Sequence, residues 1–190
     1  MPNTAERLRL IVLVLLLGLP GGCGLPQPRH PDRPEISFAE APLRLAVGHI
    51  EAENRYRPPL TAPNVEHLFP VSLAGNARRW GETRLNAAAG LKDQSDGERT
   101  ARFTVERAEA VAGPDHVIRA RAVARLEILS PPDQSLGTAT ADVTAEAAIP
   151  PDLAPEARRD AQQALTQVLL ARLDAALTAA VRARLGAFLK

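Results

Sequence analysis

The stretch Thr138–Ile149 alternates strictly between small apolar and polar residues, and this restricts the chain to folds built on a half-covered sheet. Ala139, Ala141, Val143, Ala145, Ala147 and Ile149 share one parity, opposite Thr140, Asp142, Thr144 and Glu146. Successive side chains of an extended strand point to opposite faces, so this segment has one buried and one wet face. Val117–Leu129 repeats the pattern, with Ala120, Ala122, Ala124, Leu126 and Ile128 opposite Arg119, Arg121, Arg125 and Glu127. Ala101–Ala110, with Ala101, Phe103 and Val105 on one face, is a third strand. Turn residues join the three, Gly113-Pro114-Asp115 and Ser130-Pro131-Pro132-Asp133. Together they read as an antiparallel meander.

Elements before and after the meander supply its cover. Pro42–Ile50 places Leu43, Leu45 and Val47 on one face and reads as a first strand. Arg55–Pro63 is a proline-rich loop, and Asn64–Leu68 a single turn ended by Pro70. A helix is expected from an N-cap at Ser72 to a stop at Gly90, with Leu73, Ala77, Trp80, Leu85 and Ala88 on its apolar face. Gly81 interrupts that helix and suits close contact with a neighbour. Pro155 to Phe188 reads as a final helix about 50 Å long. A strand of about eleven residues spans only about 36 Å, so this helix is expected to overhang the sheet.

Leu165, Leu169, Leu173, Leu177, Val181, Leu185 and Leu189 recur at every fourth position of that helix. Such a row drifts about 40° per step, which one flat sheet cannot follow. Either the helix breaks, or Val181, Leu185, Phe188 and Leu189 bury against another surface. That surface is the first helix or the loop after strand one; in a sharper reading these four residues face a partner. The expected fold is α+β: a four-stranded, mostly antiparallel sheet with two helices packed on its alanine-rich face. The order is strand, helix, three strands, long helix.

The N-terminal segment is of another kind. Met1–Arg9 carries Arg7 and Arg9, and an apolar run of ten residues, Leu10–Leu19, follows. This is the length of a signal-peptide core and short of the about 20 residues that span a bilayer. Pro20-Gly21-Gly22 then precede Cys23, the chain's one cysteine, which can form neither an internal disulfide nor a Cys-based metal site. Without residues 1–22 the chain loses Arg7, Arg9 and Glu6, leaving 21 Lys+Arg against 21 Asp+Glu. A balanced charge offers no broad basic field for nucleic acid. Gly24–Ala41 contains Pro26, Pro28, Pro31 and Pro34 and reads as an extended tether. The expected organisation is a signal at 1–22, an attachment cysteine and tether at 23–41, and one α+β domain at 42–190.

Catalytic and metal patterns are missing from the sequence. His30, His49, His67 and His116 have no neighbouring ligand at metal spacing, and no nucleophile elbow or phosphate-binding glycine loop occurs. The expectation is a non-enzyme with no cofactor beyond a covalent lipid. Trp80 reads as a core contact. Arg119, Arg121 and Arg125 read as a solvated stripe partly offset by Asp142 and Glu146, with anionic headgroup binding as the alternative.

The run Leu10–Cys23 resembles a bacterial lipoprotein signal, in which the peptide is cut before the cysteine and the thiol is lipidated. That resemblance implies lipid attachment, palmitate among the acyl groups, at Cys23. Gly24 after the cysteine implies sorting to the outer membrane, with the domain facing the periplasm. The element order, with Arg79-Trp80-Gly81-Glu82 followed by Thr83-Arg84-Leu85, resembles the ABC-type transport auxiliary lipoproteins of bacterial outer membranes. A lipopolysaccharide-assembly lipoprotein has a similar layout. These resemblances imply a non-catalytic interaction or auxiliary subunit of an envelope lipid transport or assembly system, partnered by a membrane and an envelope protein. The alternative is a periplasmic carrier that holds a lipid or other apolar ligand between sheet and helices.

Overall fold

Three long strands form the frame: β4 (Thr100–Ala112), β5 (Val117–Ser130) and β6 (Gln134–Ala148), paired antiparallel in that order. The computed structural model describes Phe38, residues 41–88 and residues 98–190. These lie within one unit, Glu35–Lys190. Cys23, the signal and most of the tether therefore lie outside the described residues. Before the frame come β1 (Leu43–Leu45), β2 (His49–Asn54), α1 (Leu73–Arg84) and β3 (Leu85–Ala87), and after it comes α2 (Pro155–Arg184).

The main sheet has the order β2-β4-β5-β6. β2 runs parallel to β4, so this α+β sheet is mixed rather than wholly antiparallel. The first strand is also not continuous over 42–50. The chain bends at Ala46–Gly48, and Leu45 and Val47, both fully buried, fall on either side of the bend. β1 then pairs with β3 in a separate two-stranded parallel sheet, with Leu43 opposite Leu85. That pairing also corrects the first helix. It starts as expected, with Ser72 Oγ accepting from Gly75 N at 3.1 Å, but ends at Arg84. Leu85 takes up extended backbone to meet β1, a tertiary contact outweighing the helical periodicity that continues through Ala88.

The alanine-rich face is buried as its alternation requires. Ala101, Phe103 and Val105 point inward from β4, and then the parity shifts to Ala108 and Ala110. A bulge between Val105 and Arg107 causes the shift and keeps the apolar side inward along the whole strand. Small residues at Ala120, Ala122, Ala124, Ala139, Ala141 and Ala145 let the helices approach the sheet closely. At Gly81 the approach is closest: an added Cβ would stand 2.3 Å from Phe103 Cδ1. The Trp80 and Phe103 rings lie 5.2 Å apart there, so Trp80 is the core contact expected of it.

α2 is unbroken over 30 residues, about 45 Å. β6 has 15 residues, about 50 Å, so the expected overhang is absent: the strands are longer than their alternating cores suggest. Leu165, Leu169, Leu173, Leu177, Val181 and Leu185 are all buried despite their angular drift. A twisted sheet, α1 and the chain's own tail together cover what a flat sheet would miss. Val181 and Leu185 are wholly buried, and Phe188 and Leu189 are half-buried against the same core. Leu185 fills the space left by Gly137, where an added Cβ would come within 2.8 Å of Leu185 Cδ2. Beyond the helix, Leu189 bridges to Leu45, Ala46 N donates to Phe188 O at 2.7 Å, and Arg99 lies over the Phe188 ring. The partner-surface reading of Val181, Leu185, Phe188 and Leu189 is thereby corrected, because the tail folds back on β1, with Val181 and Leu185 wholly buried and Phe188 and Leu189 half-buried against the chain's own core.

Candidate functional site

Two polar assemblies organise the described surface, one closed and one open. The closed one joins the helices. Trp80 Nε1 donates to Asp174 Oδ1 at 2.7 Å and Arg84 Nε donates to the same oxygen at 2.8 Å. Arg84 also donates to the Ala41 carbonyl, so the incoming chain is held at the C-terminal end of α1. Buried charges persist where they are paired and hydrogen-bonded. With its groups mutually satisfied and its arginine side chain only 2 % exposed, this node is structural. Its trace in the sequence is Asp174, the one acid between Leu165 and Val181 of α2.

The open assembly is a cleft of about 200 Å³ lined by Asn54, Tyr56, Glu66, Phe69, Leu73 and Ala108, among others. Local chemistry fixes its walls. Asn54 Oδ1 accepts from Tyr56 N at 3.0 Å, which turns the chain as it leaves β2. Prolines 58, 59 and 63 keep the next stretch from extending the sheet. The loop returns alongside β4 through Val65 N to Ala110 O at 2.8 Å and Ala112 N to Pro63 O at 2.9 Å. A 3-10 turn over Glu66–Leu68 follows, and Ser72 starts α1.

Glu66 forms the floor and is 7 % exposed. One of its oxygens accepts from the Tyr56 hydroxyl at 3.1 Å, the other from Ala110 N at 3.4 Å. Burial, and then the Glu66 carboxylate, push the Tyr56 phenol well above its ordinary pKa. Elsewhere in the same loop and turn, Leu60 and Leu68 are 70 % and 61 % exposed. Leu68 lies between two residues of the cleft, His67 and Phe69, and Leu60 lies two beyond Pro58. In the sequence this region reads as a proline-rich loop and a single turn, and no local pattern marks Glu66 or Tyr56 as part of a cleft.

The wet sheet face holds charge in balance. Arg119 pairs with Glu146 at 2.5 Å, Arg121 with Asp142 at 2.5 Å and Arg125 with Glu106 at 2.9 Å. The hydrogen bond from Arg121 holds Asp142 below the usual carboxylate range. The arginine stripe is thus paired along its length, which leaves little for an anionic headgroup to neutralise. His49, His67 and His116 are exposed. Among the described residues no three His, Cys, Asp or Glu side chains come together as a metal site.

No protein-family model matches the sequence, and no curated protein matches it. Solved structures resemble it distantly. A proposed lipoprotein of Caulobacter crescentus CB15 is 13% identical, with 72% of this chain and 88% of that one covered, at a TM-score of 0.36. A Xanthomonas campestris protein of the family DUF330 is 15% identical, with 75% and 90% covered, at 0.36. PelC of Paraburkholderia phytofirmans, a dodecamer, is 14% identical, with 72% and 94% covered, at 0.23. At this level of similarity no role passes from those proteins to this chain.

Proposed function

We propose that this chain is a non-catalytic lipoprotein of the bacterial envelope, anchored through Cys23 to the outer membrane and acting in the periplasm as a docking or auxiliary subunit of a lipid transport or assembly system. The observation that carries the docking role is the filled helix–sheet interface. Leu169, Leu173 and Leu177 of α2 and Ala122, Ala124 and Leu126 of the sheet are all buried in one core cluster. Carriage of an apolar ligand needs a chamber of several hundred cubic ångströms in that place. The open cleft lies elsewhere, between the β2–α1 loop and the start of α1. The anchor rests on the signal-like run before Cys23. Several acyl chains hold a protein stably where one does not.

Affinity purification of the full chain from crosslinked membranes tests the reading. A stoichiometric protein partner without stoichiometric bound lipid is the expected result. Recovery of neither partner nor lipid would sink the docking and carrier readings together.

A further inference from the structure

The two edges of the main sheet differ. β2 is six residues long and runs on toward Pro58 and Pro59, whereas β6 is 15 residues long and free of proline, lysine and arginine. Short strands, prolines and lysines are what usually keep a sheet edge from pairing with another chain. The backbone direction along β6 is fixed at its end. Ile149 N donates to His116 O at 2.8 Å, in step with the Ile118–Ala147 and Ala120–Ala145 pairs, so odd-numbered residues turn their backbone groups toward β5. Thr138, Thr140, Asp142, Thr144 and Glu146 therefore turn theirs outward. Among the described residues that row meets the Arg172 guanidinium, which donates to Thr144 O at 2.5 Å, and no backbone group of a further strand. Its two acids are already neutralised, Asp142 by Arg121 and Glu146 by Arg119.

We propose that β6 pairs antiparallel with β6 of a second copy of this chain, about a two-fold axis through Ala141, so that the two four-stranded sheets become one. Charge selects the register. An axis through Asp142 or Thr144 would set acid against acid. An axis through Ala141 sets Asp142 against Thr140 and Thr144 against Thr138, with alanine facing alanine on the core side. Opposed threonines are favourable cross-strand neighbours. The helix above selects the occupant. Arg172 marks the flank of α2 nearest this edge, and Ala161, Val168, Ala176, Ala179 and Ala183 lie within about 40° of it around the helix. Val168 is 46 % exposed there. Side chains this small let two helices approach to the usual separation of about 8–10 Å. A second copy brings the same flank over the same edge, so strand and helix layers close together in one isologous contact. A lone strand from another protein would pair the backbone and leave Val168 uncovered. Thr144 O can keep Arg172 while taking the incoming N–H, because a carbonyl has two lone pairs. The contact goes beyond the docking reading and does not depend on it.

The test oxidises membranes that hold the full chain with Thr138→Cys, the full chain with Thr144→Cys, or both together. Opposed residues of the proposed ladder have Cα atoms about 5.5 Å apart, within reach of a disulfide. Each position lies about 20 Å from its own counterpart in the second copy. A disulfide-linked dimer is expected from the mixture and from neither variant alone. Adding Thr140→Pro, which removes an outward N–H that the chain's own ladder does not use, should abolish that dimer with Trp80 emission unchanged. No dimer from the mixture, or as much dimer from either variant alone, overturns the proposal. Linkage of these cysteines to a different protein in place of the second copy assigns the edge to a partner strand and also overturns it. The unaltered full chain in mild detergent gives a check that needs no variant. Its sedimentation should move from dimer to monomer on dilution, and a monomer at every concentration overturns the proposal as well.

Discussion

Trp80 Nε1 donates to Asp174 Oδ1 at 2.7 Å, so the one tryptophan of the chain reports on the contact between α1 and the middle of α2. Arg84 joins the same carboxylate from one turn further along α1. Asp174→Ala removes the counter-ion of a buried guanidinium and is expected to destabilise the domain by about 3 kcal/mol or more. Urea unfolding followed by tryptophan fluorescence measures this, with a red-shifted native emission as the indole becomes wetter. A loss under about 1 kcal/mol would contradict the structural role given to the node.

Gly81 sets how closely α1 approaches β4. Gly81→Ala drives a methyl into Phe103 and is expected to cost about 1–3 kcal/mol, more than its gain in helix propensity. Combining it with Phe103→Leu should recover part of the loss, a coupling of at least about 0.5 kcal/mol in a double-mutant cycle. Strict additivity would show that the glycine serves something other than this contact.

Tyr56 is the sole tyrosine, so a near-ultraviolet alkaline titration reads it alone. Its raised pKa means that the folded state favours the neutral phenol. The linked stability is fully present below the unfolded value of about 10 and is lost as the pH rises through the folded value. No ionisation is therefore expected near that value while the protein stays folded. Glu66→Gln should lower the midpoint but not restore it fully, since burial is the larger cause. A midpoint like that of free tyrosine in the unaltered protein would contradict the cleft geometry.

The tail contributes to stability. Ending the chain at Arg182 removes Leu185, which is wholly buried, and the Leu189–Leu45 bridge. The loss should be at least that of a core leucine truncation, about 2–5 kcal/mol, and chemical denaturation measures it. Undiminished stability would return these residues to the status of a free surface.

Cys23→Ser tests the anchor separately from the fold. The variant is expected in the soluble periplasmic fraction, with unchanged Trp80 emission. A variant that still floats with membranes would defeat lipid attachment at this residue.

Much of the fold could be read from parity. The alternation in β5 and β6 named their buried residues, and the apolar parity that moves from Val105 to Ala108 marks a bulge that was there to be seen. Ser72 was correctly placed as a cap because its side chain satisfies α1 locally. What escaped depends on distant partners. Leu85 leaves the helix for β1, and β2 lies parallel to β4 with each residue opposite one 51 positions further along, Asn54 opposite Val105, where no local pattern marks the pairing. A partner surface at Val181, Leu185, Phe188 and Leu189 stays open in the sequence beside burial on the first helix or the loop after strand one, because the return of the tail onto Leu45 has no signature in a helical repeat. The cleft was missed for a similar reason: Glu66 looks like an ordinary surface acid until the loop folds against Ala110.

Intact-mass measurement of the protein extracted from membranes addresses the account as a whole. The expected species begins at Cys23, carries covalent acyl chains on that residue and releases no stoichiometric apolar ligand when the fold is opened. A chain that retains residues 1–22 with an unmodified Cys23, or one that releases one lipid per domain from its interior, would contradict the picture of an anchored docking module with a filled core.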